Sequence, residues 1–387
     1  MLNSSLVELK IIKVVNGGYG LGRINNLVYL VPFAYPGDKV LIKSFSTKKN
    51  MVWAEIVEII ESSPVREEKR CPQMGICGSC IWGMLNYQKQ IEYKKQILQE
   101  NICHYIKKDK NVEMVYDETY KYHYRTRVIY HGDGKNLGFY KFHSKEITDV
   151  SACVLVYEKM EDIRRNLTQE KIVGEIYITV NPYTDEYLLY TPKLNKNLIK
   201  NYKNVYDYSN NGNNRKYFLF NKIPIVNGCF TQNSLFLNDI LKQQVGKFLK
   251  QGEKILDLYC GSGNFTIDLE PDKCVVGIDI DPYTIDKAKE YSNFEYVVGD
   301  ENLMNTYLQK EDWDIVLLDP PRTGAKMIIP SLNKAKTDTI IYVSCDPVTM
   351  CRDIKELSLN GWEIQEVIGV DMFPQTPHIE CLTVLKK

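Results

Sequence analysis

The chain has 387 residues, 44% of them hydrophobic, so its length and composition allow two or three domains with sizeable cores. Its 49 basic residues balance 49 acidic residues, so affinity for a polyanion such as RNA must come from local patches and not from net charge. The first residues lack a basic region followed by an apolar run, and no stretch of about 18 apolar residues occurs anywhere. We therefore expect a cytoplasmic protein that does not span a membrane.

Residues 1–61 alternate short β-rich runs with turn signals, and this spacing predicts a small antiparallel β-barrel. Up to residue 60 the segment has seven lysine or arginine residues and four acidic residues. Its aromatic and basic side chains are of the kinds with which OB-like barrels hold single-stranded nucleic acid. An ordinary barrel with a solvated basic face is the alternative.

Three cysteines follow a charged linker in the order Cys71-x5-Cys77-x2-Cys80. Clustered thiols in a chain with eleven cysteines indicate a metal centre, because thiolates select zinc and iron–sulfur clusters. A zinc ribbon normally pairs two Cys-x2-Cys hairpins, and only one is present. The pattern therefore favours an iron–sulfur cluster, with zinc as the alternative, and Cys153 is the candidate for a distant fourth ligand.

Residues 87–108 place apolar side chains at helical spacing among polar ones, which predicts an amphipathic helix. The segments 120–127 and 138–143 then interleave aromatic side chains with cations. Such mixtures suit RNA, whose bases stack on rings and whose phosphates bind cations, although two strands with exposed tyrosines are the alternative. The asparagine-rich residues 210–214 are predicted to form a surface turn.

The C-terminal part alternates strands and helices, which predicts a doubly wound parallel sheet. A strand, a turn with Gly261 and Gly263 and a helix start come first, and the next strand ends at Asp279, 18 residues after Gly261. A carboxylate at that place can hold a ribose, so a nucleotide-like cofactor is indicated without separating NAD from S-adenosylmethionine. Thr266 in place of a third glycine, and Asp257 just before the turn, favour a cofactor that has no phosphates.

Four further candidates lie at strand ends in the same sheet. Asp300 follows a third strand, where it could reach an adenine or cap a helix, and Asp319 ends a strand before two prolines. Cys345 follows a buried strand at a Ser-Cys-Asp-Pro turn, and Glu380 begins the last strand. An open α/β sheet assembles its site at strand ends, so these carboxylates and this thiol are predicted to meet. Simple packing is the alternative for Cys345.

Together these motifs resemble the RNA uracil-C5-methyltransferase family, whose members form 5-methyluridine in 23S rRNA and tRNA. The resemblance covers nearly the whole chain. It rests on the cysteine set and on Tyr124-Arg-Thr-Arg127, Phe230-Thr-Gln232, the segment from Leu256 to Thr266, Asp319-Pro-Pro-Arg322, Ser344-Cys345-Asp-Pro347 and His378-Ile-Glu380.

The resemblance implies an α/β fold with a class I, Rossmann-like methyltransferase domain over residues 229–387. An OB-like TRAM β-barrel is expected over residues 1–61, and a central α/β domain with a 4Fe–4S cluster over residues 62–228. Family members pack the helix near residues 87–115 on the catalytic domain. We also expect the protein to be a monomer.

The resemblance further implies that S-adenosyl-L-methionine is the cofactor and RNA the substrate. Cys345 would be the nucleophile that attacks uracil C6, and Glu380 the base that removes the C5 proton. Cofactor-binding or active-centre positions are Gln232, Tyr259, Asp279 and Asp319, alongside Gly261, Gly263 and Asp300 from the patterns above. The cluster ligands are Cys71, Cys77, Cys80 and Cys153.

Three positions depart from the family pattern: Asp279 replaces the usual glutamate, Ser234 a common asparagine and Arg127 a common lysine. No histidine or lysine adjacent to Cys345 identifies the group that forms its thiolate. The barrel and the cluster favour 23S rRNA as substrate, with tRNA second. A cytosine-C5-methyltransferase is disfavoured by the C-terminal glutamate and the barrel, and a non-catalytic RNA-binding protein by the complete catalytic set.

Overall fold

The computed structural model describes residues 6–148, 150, 153–192, 196–207 and 215–387. The asparagine-rich stretch predicted to form a turn lies outside these residues. Among the helices so described, none is both long and apolar enough to cross a membrane.

Six N-terminal strands form one sheet around a compact apolar core. They are β1 (Val7–Lys10), β2 (Lys13–Val14), β3 (Gly20–Ile24), β4 (Leu27–Val31), β5 (Lys39–Lys48) and β6 (Met51–Glu61). The strand order is β1-β5-β6-β4-β3-β2, with β4 and β6 parallel and the other pairs antiparallel. Side chains that alternate along the strands, such as Val40 and Ile42 on β5, are buried in this core.

A long helix connects the cysteine loop with the rest of the chain. Helix α1 (Tyr87–Ile106) begins after Asn86, whose side chain accepts a hydrogen bond from the backbone N–H of Lys89, and ends at Lys107 in the left-handed conformation. Strand β7 (Glu113–Val115) and a short 3-10 helix (Glu118–Tyr120) follow.

The central sheet is mostly antiparallel. Its strands are β8 (Arg127–Asp133), β9 (Leu137–Tyr140), β10 (Ile147–Thr148), β11 (Val173–Val180), β12 (Tyr187–Thr191) and β13 (Val205–Asp207), in the order β10-β9-β8-β11-β12-β13. Helix α2 (Glu158–Thr168) shares its apolar core, and helix α3 (Lys196–Asn201) precedes β13. A separate hairpin, β14 (Tyr217–Phe220) and β15 (Ile223–Val226), leads to the C-terminal sheet.

The C-terminal sheet has eight strands flanked by helices. Its own strands are β16 (Lys254–Leu258), β17 (Cys274–Asp279), β18 (Glu295–Val298), β19 (Trp313–Leu318), β20 (Thr337–Ser344), β21 (Glu363–Val370) and β22 (Glu380–Lys386). The helices are α4 (Leu235–Leu249), α5 (Pro282–Tyr291), α6 (Glu301–Lys310), α7 (Ile329–Leu332) and α8 (Pro347–Ser358). The strand order is β18-β17-β16-β19-β20-β22-β21-β7.

Two features of this sheet go beyond the simple parallel pattern expected from the sequence. The five strands β16 to β20 are parallel, but β22 is antiparallel to both of its neighbours, so its first residue lies where the parallel strands end. Strand β7 pairs with β21, and Leu98 and Ile102 of α1 share a core with Leu256 of β16. Residues 87–115 therefore contact the C-terminal sheet, while the three domain boundaries stay predictions.

Candidate active site

Cys345 lies in the tight turn between β20 and α8, and the turn is fixed by hydrogen bonds on both sides. The Asp346 carboxylate caps α8 by accepting from the backbone N–H groups of Val348 and Thr349, both at 2.9 Å. The hydroxyl of Ser344 donates to the carbonyl oxygen of Asp346 and accepts from its N–H, each at 3.1 Å. The thiol is therefore held at the N-terminal end of a helix, where the helix dipole favours a thiolate.

Glu380 reaches the same place through the antiparallel pairing of β22. Ser344 is paired with Cys381, so Cys345 and Glu380, the next residues outward, leave the sheet at one end. The Glu380 side chain is buried, with 3% of the residue exposed. Burial and the neighbouring Asp319 raise the pKa of Glu380 well above its ordinary value, while Arg322 opposes them.

Arg322 is the functional candidate that the sequence did not reveal as a partner of the thiol. Burial raises the pKa of the Cys345 thiol to about 11, Glu380 and Asp319 add to this, and the positive charge of Arg322 opposes the shift. Arg322 follows β19, the strand next to β20 in the sheet. In the sequence, Arg322 is marked only by the two prolines that precede it. This position does not indicate which strand end the Arg322 side chain faces.

The glycine-rich turn after β16 is tied to the end of β17. The backbone N–H of Gly261 donates to the Asp279 carboxylate at 2.9 Å, and the N–H of Tyr259 donates to the carbonyl oxygen of Ile278 at 2.9 Å. Tyr259 has a φ of 63°, which costs a residue with a Cβ atom about 1 kcal/mol or more. The structure therefore brings Tyr259, Gly261 and Asp279 together at one edge of the sheet.

The two glycines of this turn have different surroundings. A Cβ atom on Gly263 would lie 2.5 Å from the hydroxyl oxygen of Tyr296, whereas one on Gly261 would meet no atom within 4 Å. Gly263 is thus required by packing, and Gly261 leaves room for a bound group. Both have positive φ, and residues 261–268 form successive turns, so the helix start predicted here is absent from this described segment.

Thr266 and Asp257 form a buried pair behind the turn. The Thr266 hydroxyl donates to Asp257 Oδ2 at 2.7 Å and lies 3.1 Å from the hydroxyl oxygen of Tyr296. Burial raises the pKa of Asp257 to about 8, although the Thr266 hydrogen bond opposes the shift. Asp257 Oδ1 is enclosed and has no hydrogen-bond partner among the described residues.

Asp300 serves as a helix cap, which is the alternative that the sequence left open. Its Oδ1 accepts from the backbone N–H groups of Asn302 and Leu303 at 3.0 and 3.2 Å, and its Oδ2 accepts from the Asn302 side chain at 2.9 Å. The hydrogen bond from Leu303 is the main reason why the pKa of Asp300 is lowered. A role in cofactor binding stays a prediction.

Gln232 lies half-buried in the loop between β15 and α4, and the start of β8 holds that loop. The Arg127 guanidinium donates to the carbonyl oxygen of Thr231 at 2.8 Å. The backbone N–H of Thr126 donates to the carbonyl oxygen of Asn233 at 3.0 Å. The Tyr124-Arg-Thr-Arg127 motif therefore fixes the backbone on both sides of Gln232, which its sequence position alone did not indicate.

The four candidate metal ligands line one small cavity. Cys71, Cys77 and Cys80 are buried and Cys153 is half-buried, and all four are free thiols. Among the residues that the structure describes, no three His, Cys, Asp or Glu side chains are grouped so that they could hold a single metal ion. Burial raises the pKa of Cys80, and Arg125 opposes the shift. The Nε atom of Arg125 is enclosed without a partner among the described residues.

Two family models match the chain. Residues 287–387 match the model of tRNA (uracil-5-)-methyltransferases, and residues 7–65 match the TRAM-domain model of tRNA (uracil(54)-C(5))-methyltransferases.

Full-length relatives extend this result. A protein of Aquifex aeolicus named an uncharacterized RNA methyltransferase is 32% identical over 98% of this chain and 98% of its own length. A 23S rRNA (uracil(1939)-C(5))-methyltransferase RlmD of Shewanella sediminis is 26% identical, with 99% and 96% of the two chains covered.

A solved structure supports the fold. The tRNA (uracil-54, C5)-methyltransferase of Pyrococcus abyssi, crystallised with S-adenosyl-L-homocysteine, has a TM-score of 0.76 and 24% identity, covering 97% of this chain and 99% of that chain. The prediction of a methyltransferase fold with an N-terminal TRAM barrel is confirmed by these matches. The chain belongs to the RNA uracil-C5-methyltransferase family and is an RNA (uracil-5-)-methyltransferase.

Proposed function

We propose that this cytoplasmic enzyme uses S-adenosyl-L-methionine to methylate uracil C5 in 23S rRNA, through a covalent bond between Cys345 and uracil C6. The observation that carries the proposal is the pairing of β20 with β22, which sets a thiol and a buried carboxylate at one end of the sheet. A nucleophile for C6 and a base for the C5 proton are the two groups that this chemistry requires.

The steps follow from the electronic structure of uracil, in which C5 becomes nucleophilic only after addition at C6. The Cys345 sulfur bonds to C6, and the electrons of the C5–C6 double bond move towards C5 and O4 as an enolate. When bound, S-adenosyl-L-methionine supplies a methyl group on a sulfonium, which needs only alignment. C5 bonds to this methyl group as the sulfur–methyl bond breaks and leaves a neutral thioether. Glu380 then accepts the C5 proton, and the electrons of the C5–H bond expel the Cys345 thiolate as the C6–S bond breaks.

The residues around the glycine-rich turn fit a nucleoside-bearing methyl donor. The space beside Gly261 and the carboxylate of Asp279 would receive the nucleoside, with Asp279 accepting from ribose hydroxyls. Gln232, on its fixed loop, and Asp319 would hold the reacting groups. Burial and Asp279 raise the pKa of Asp319, so this carboxyl carries a proton more readily and can donate to the O4 oxygen where enolate charge develops.

The pH dependence of the reaction tests the part assigned to Arg322. Because the pKa of the Cys345 thiol is raised, only a small fraction is thiolate at neutral pH, and kcat/KM is expected to rise by about tenfold per pH unit below that pKa. Arg322→Ala removes the cation that favours the thiolate, so the rising limb should move to higher pH and kcat/KM at pH 7.5 should fall about tenfold or more. Arg322→Lys should recover part of the loss, whereas superimposable pH profiles would exclude this role.

We propose that the cysteine cavity holds an iron–sulfur cluster, with zinc as the alternative. Four thiols line this one cavity, and the enclosed Arg125 Nε offers a cation to an anionic centre. When bound, a cluster supplies a covalent tie between the loop of residues 71–80 and Cys153. Protein purified without oxygen is expected to be brown, with absorption at roughly 400 nm that Cys80→Ser removes. Colourless protein that contains stoichiometric zinc would decide for the alternative.

The RNA substrate rests on the full-length match to a 23S rRNA enzyme together with the barrel and the cysteine set. The names of the two family models favour tRNA as the second candidate. Mapping 5-methyluridine in rRNA and tRNA of a strain that lacks this gene separates the two. Loss of one 23S position supports the proposal, and loss of a tRNA position with intact 23S rRNA overturns it.

A further inference from the structure

The segment of residues 371–378, here named the junction loop, connects β21 with β22 and ends two residues before Glu380. Several parts of the chain contact it, among them helix α1, the loop that follows the cysteines, a turn of the N-terminal barrel and the segment that contains Lys121 and Tyr124. Nothing in the proposed chemistry requires so many contacts at this place, so the loop is a candidate for a positioning element.

A pair of buried glutamines forms the centre of these contacts. The backbone N–H of Gln375 donates to Gln90 Oε1 at 2.8 Å, and Gln90 Nε2 donates to Gln375 Oε1 at 2.9 Å. Gln375 has a φ of 68°, a left-handed conformation that a residue with a Cβ atom adopts only when its surroundings hold it there. Helix α1, through Gln90, therefore helps to fix the shape of the junction loop, together with Lys121 and Tyr124.

Gln90 also binds the segment that directly follows the cysteine loop, which comprises residues 71–80. Its Nε2 atom donates to the carbonyl oxygens of Leu85 and Trp82 at 2.8 and 3.2 Å. The backbone N–H of Trp82 in turn donates to the carbonyl oxygen of Gln375 at 3.2 Å. Trp82 is two residues beyond Cys80, so two short hydrogen-bonded paths connect the end of the cysteine loop with Gln375.

A buried ion pair strengthens the attachment to α1. Lys94 and Asp371 are both buried, and Lys94 Nζ lies 2.6 Å from Asp371 Oδ1. Lys94 also donates to the carbonyl oxygen of Phe373 at 3.1 Å, and the Tyr87 hydroxyl donates to Asp371 Oδ2 at 3.0 Å. Separating Lys94 from Asp371 would leave two buried charges uncompensated, which is energetically costly. The ion pair therefore restrains the start of the junction loop relative to α1.

The barrel touches the other end of the loop. A Cβ atom on Gly18 would lie 2.6 Å from the Pro377 side chain, so only glycine permits this approach. The Trp82 indole donates to the carbonyl oxygen of Gly18 at 3.0 Å. The barrel, the cysteine loop and α1 thus meet on residues that directly precede Glu380.

We propose that Gln90 and Gln375 are positioning residues for Glu380, and that the cysteine loop sets their position through Trp82. The inference rests on the proposed function, since it takes Glu380 as the base and the four cysteines as ligands of one centre. A displaced junction loop moves the start of β22 and with it the carboxylate. Cys345 lies in the turn between β20 and α8, outside the junction loop, so addition to C6 is expected to continue when proton removal fails.

The separation of these two steps is the test. Gln90→Ala is expected to form the adduct with RNA containing 5-fluorouridine at the normal rate, because that adduct needs no proton removal. Turnover on uridine RNA should fall at least about tenfold, and a methylated covalent complex should accumulate. Gln96→Ala, at an exposed position of the same helix, is the matched control and should behave normally. Equal losses of adduct formation and turnover in Gln90→Ala would assign Gln90 a purely structural role.

Hydrogen–deuterium exchange tests the link to the cysteines independently of activity. Both Gln90→Ala and Cys80→Ser should increase deuterium uptake in peptides covering residues 371–379, while peptides of α4 keep their protection. Unchanged uptake in the junction loop of either variant overturns the corresponding link. If Cys80→Ser does not fold, protein stripped of its centre by a chelator replaces it. A Cys345→Ala enzyme that still methylates would refute the proposed function and leave this exchange result standing.

Discussion

Cys345→Ala is expected to lower single-turnover methylation of RNA by on the order of 10⁴-fold or more and to abolish the covalent adduct with 5-fluorouridine RNA. Without a thiolate at C6, C5 keeps the low nucleophilicity of free uracil, however well the methyl donor is aligned. The rate is measured with a radiolabelled methyl group under conditions in which enzyme exceeds RNA, so that product release does not mask the chemical step.

A neighbouring cysteine provides the matched control. Cys351 is fully buried in α8, six residues from Cys345, and its pKa is raised to about 12 by burial and by Asp346. Cys351→Ala removes one buried sulfur and should cost some stability while leaving the methylation rate within about twofold. If instead Cys345→Ala retains more than about one hundredth of the rate, the nucleophile lies elsewhere.

Glu380→Gln is expected to affect two steps in opposite directions. The amide has nearly the shape of the carboxyl group but cannot accept the C5 proton, so turnover should fall by about 10²- to 10⁴-fold and a methylated covalent complex should accumulate. Glu380 also raises the pKa of the Cys345 thiol. At pH values above the raised pKa of Glu380, loss of its negative charge should therefore increase the thiolate fraction and speed the formation of the 5-fluorouridine adduct.

This opposite response separates a base from a residue that only packs. Denaturing gels resolve the covalent complex, and mass spectrometry reports whether the trapped base carries the methyl group. Glu363→Gln, at the exposed start of β21, is the control for loss of a glutamate charge and should leave both steps unchanged. A Glu380→Gln enzyme with slower adduct formation and no trapped complex would contradict the assignment.

The sequence predicted those parts of the site that depend on local pattern. The strand ends at Asp279, Asp319 and Cys345 follow from apolar runs that stop at polar residues and turn signals. Gly261 could be recognised for the same reason, since its turn is a local feature. Local patterns also predicted the class of fold, which the family and structure matches confirm.

The remaining parts depend on which strands are neighbours, and a single sequence does not contain that information. The sequence predicted that Glu380 and Cys345 would meet, but it did not predict the antiparallel pairing of β22 with β20 that brings them together. Arg322 meets the thiol because β19 is next to β20, and Gln90 meets Gln375 across 285 positions of the chain. The sequence pattern at Asp300 was compatible with contact to an adenine and with a helix cap. The hydrogen bonds at the start of α6 show that its carboxylate caps the helix.

The covalent bond itself tests the central claim most directly. The enzyme is incubated with S-adenosyl-L-methionine and a 23S rRNA fragment that contains 5-fluorouridine, the complex is digested with protease and nuclease, and the nucleotide-bearing peptide is sequenced by mass spectrometry. We predict a methylated fluorouridine attached to Cys345 and to neither Cys351 nor Cys381. Attachment to another residue, or full methylation of uridine RNA by an enzyme that yields no adduct, would contradict the account.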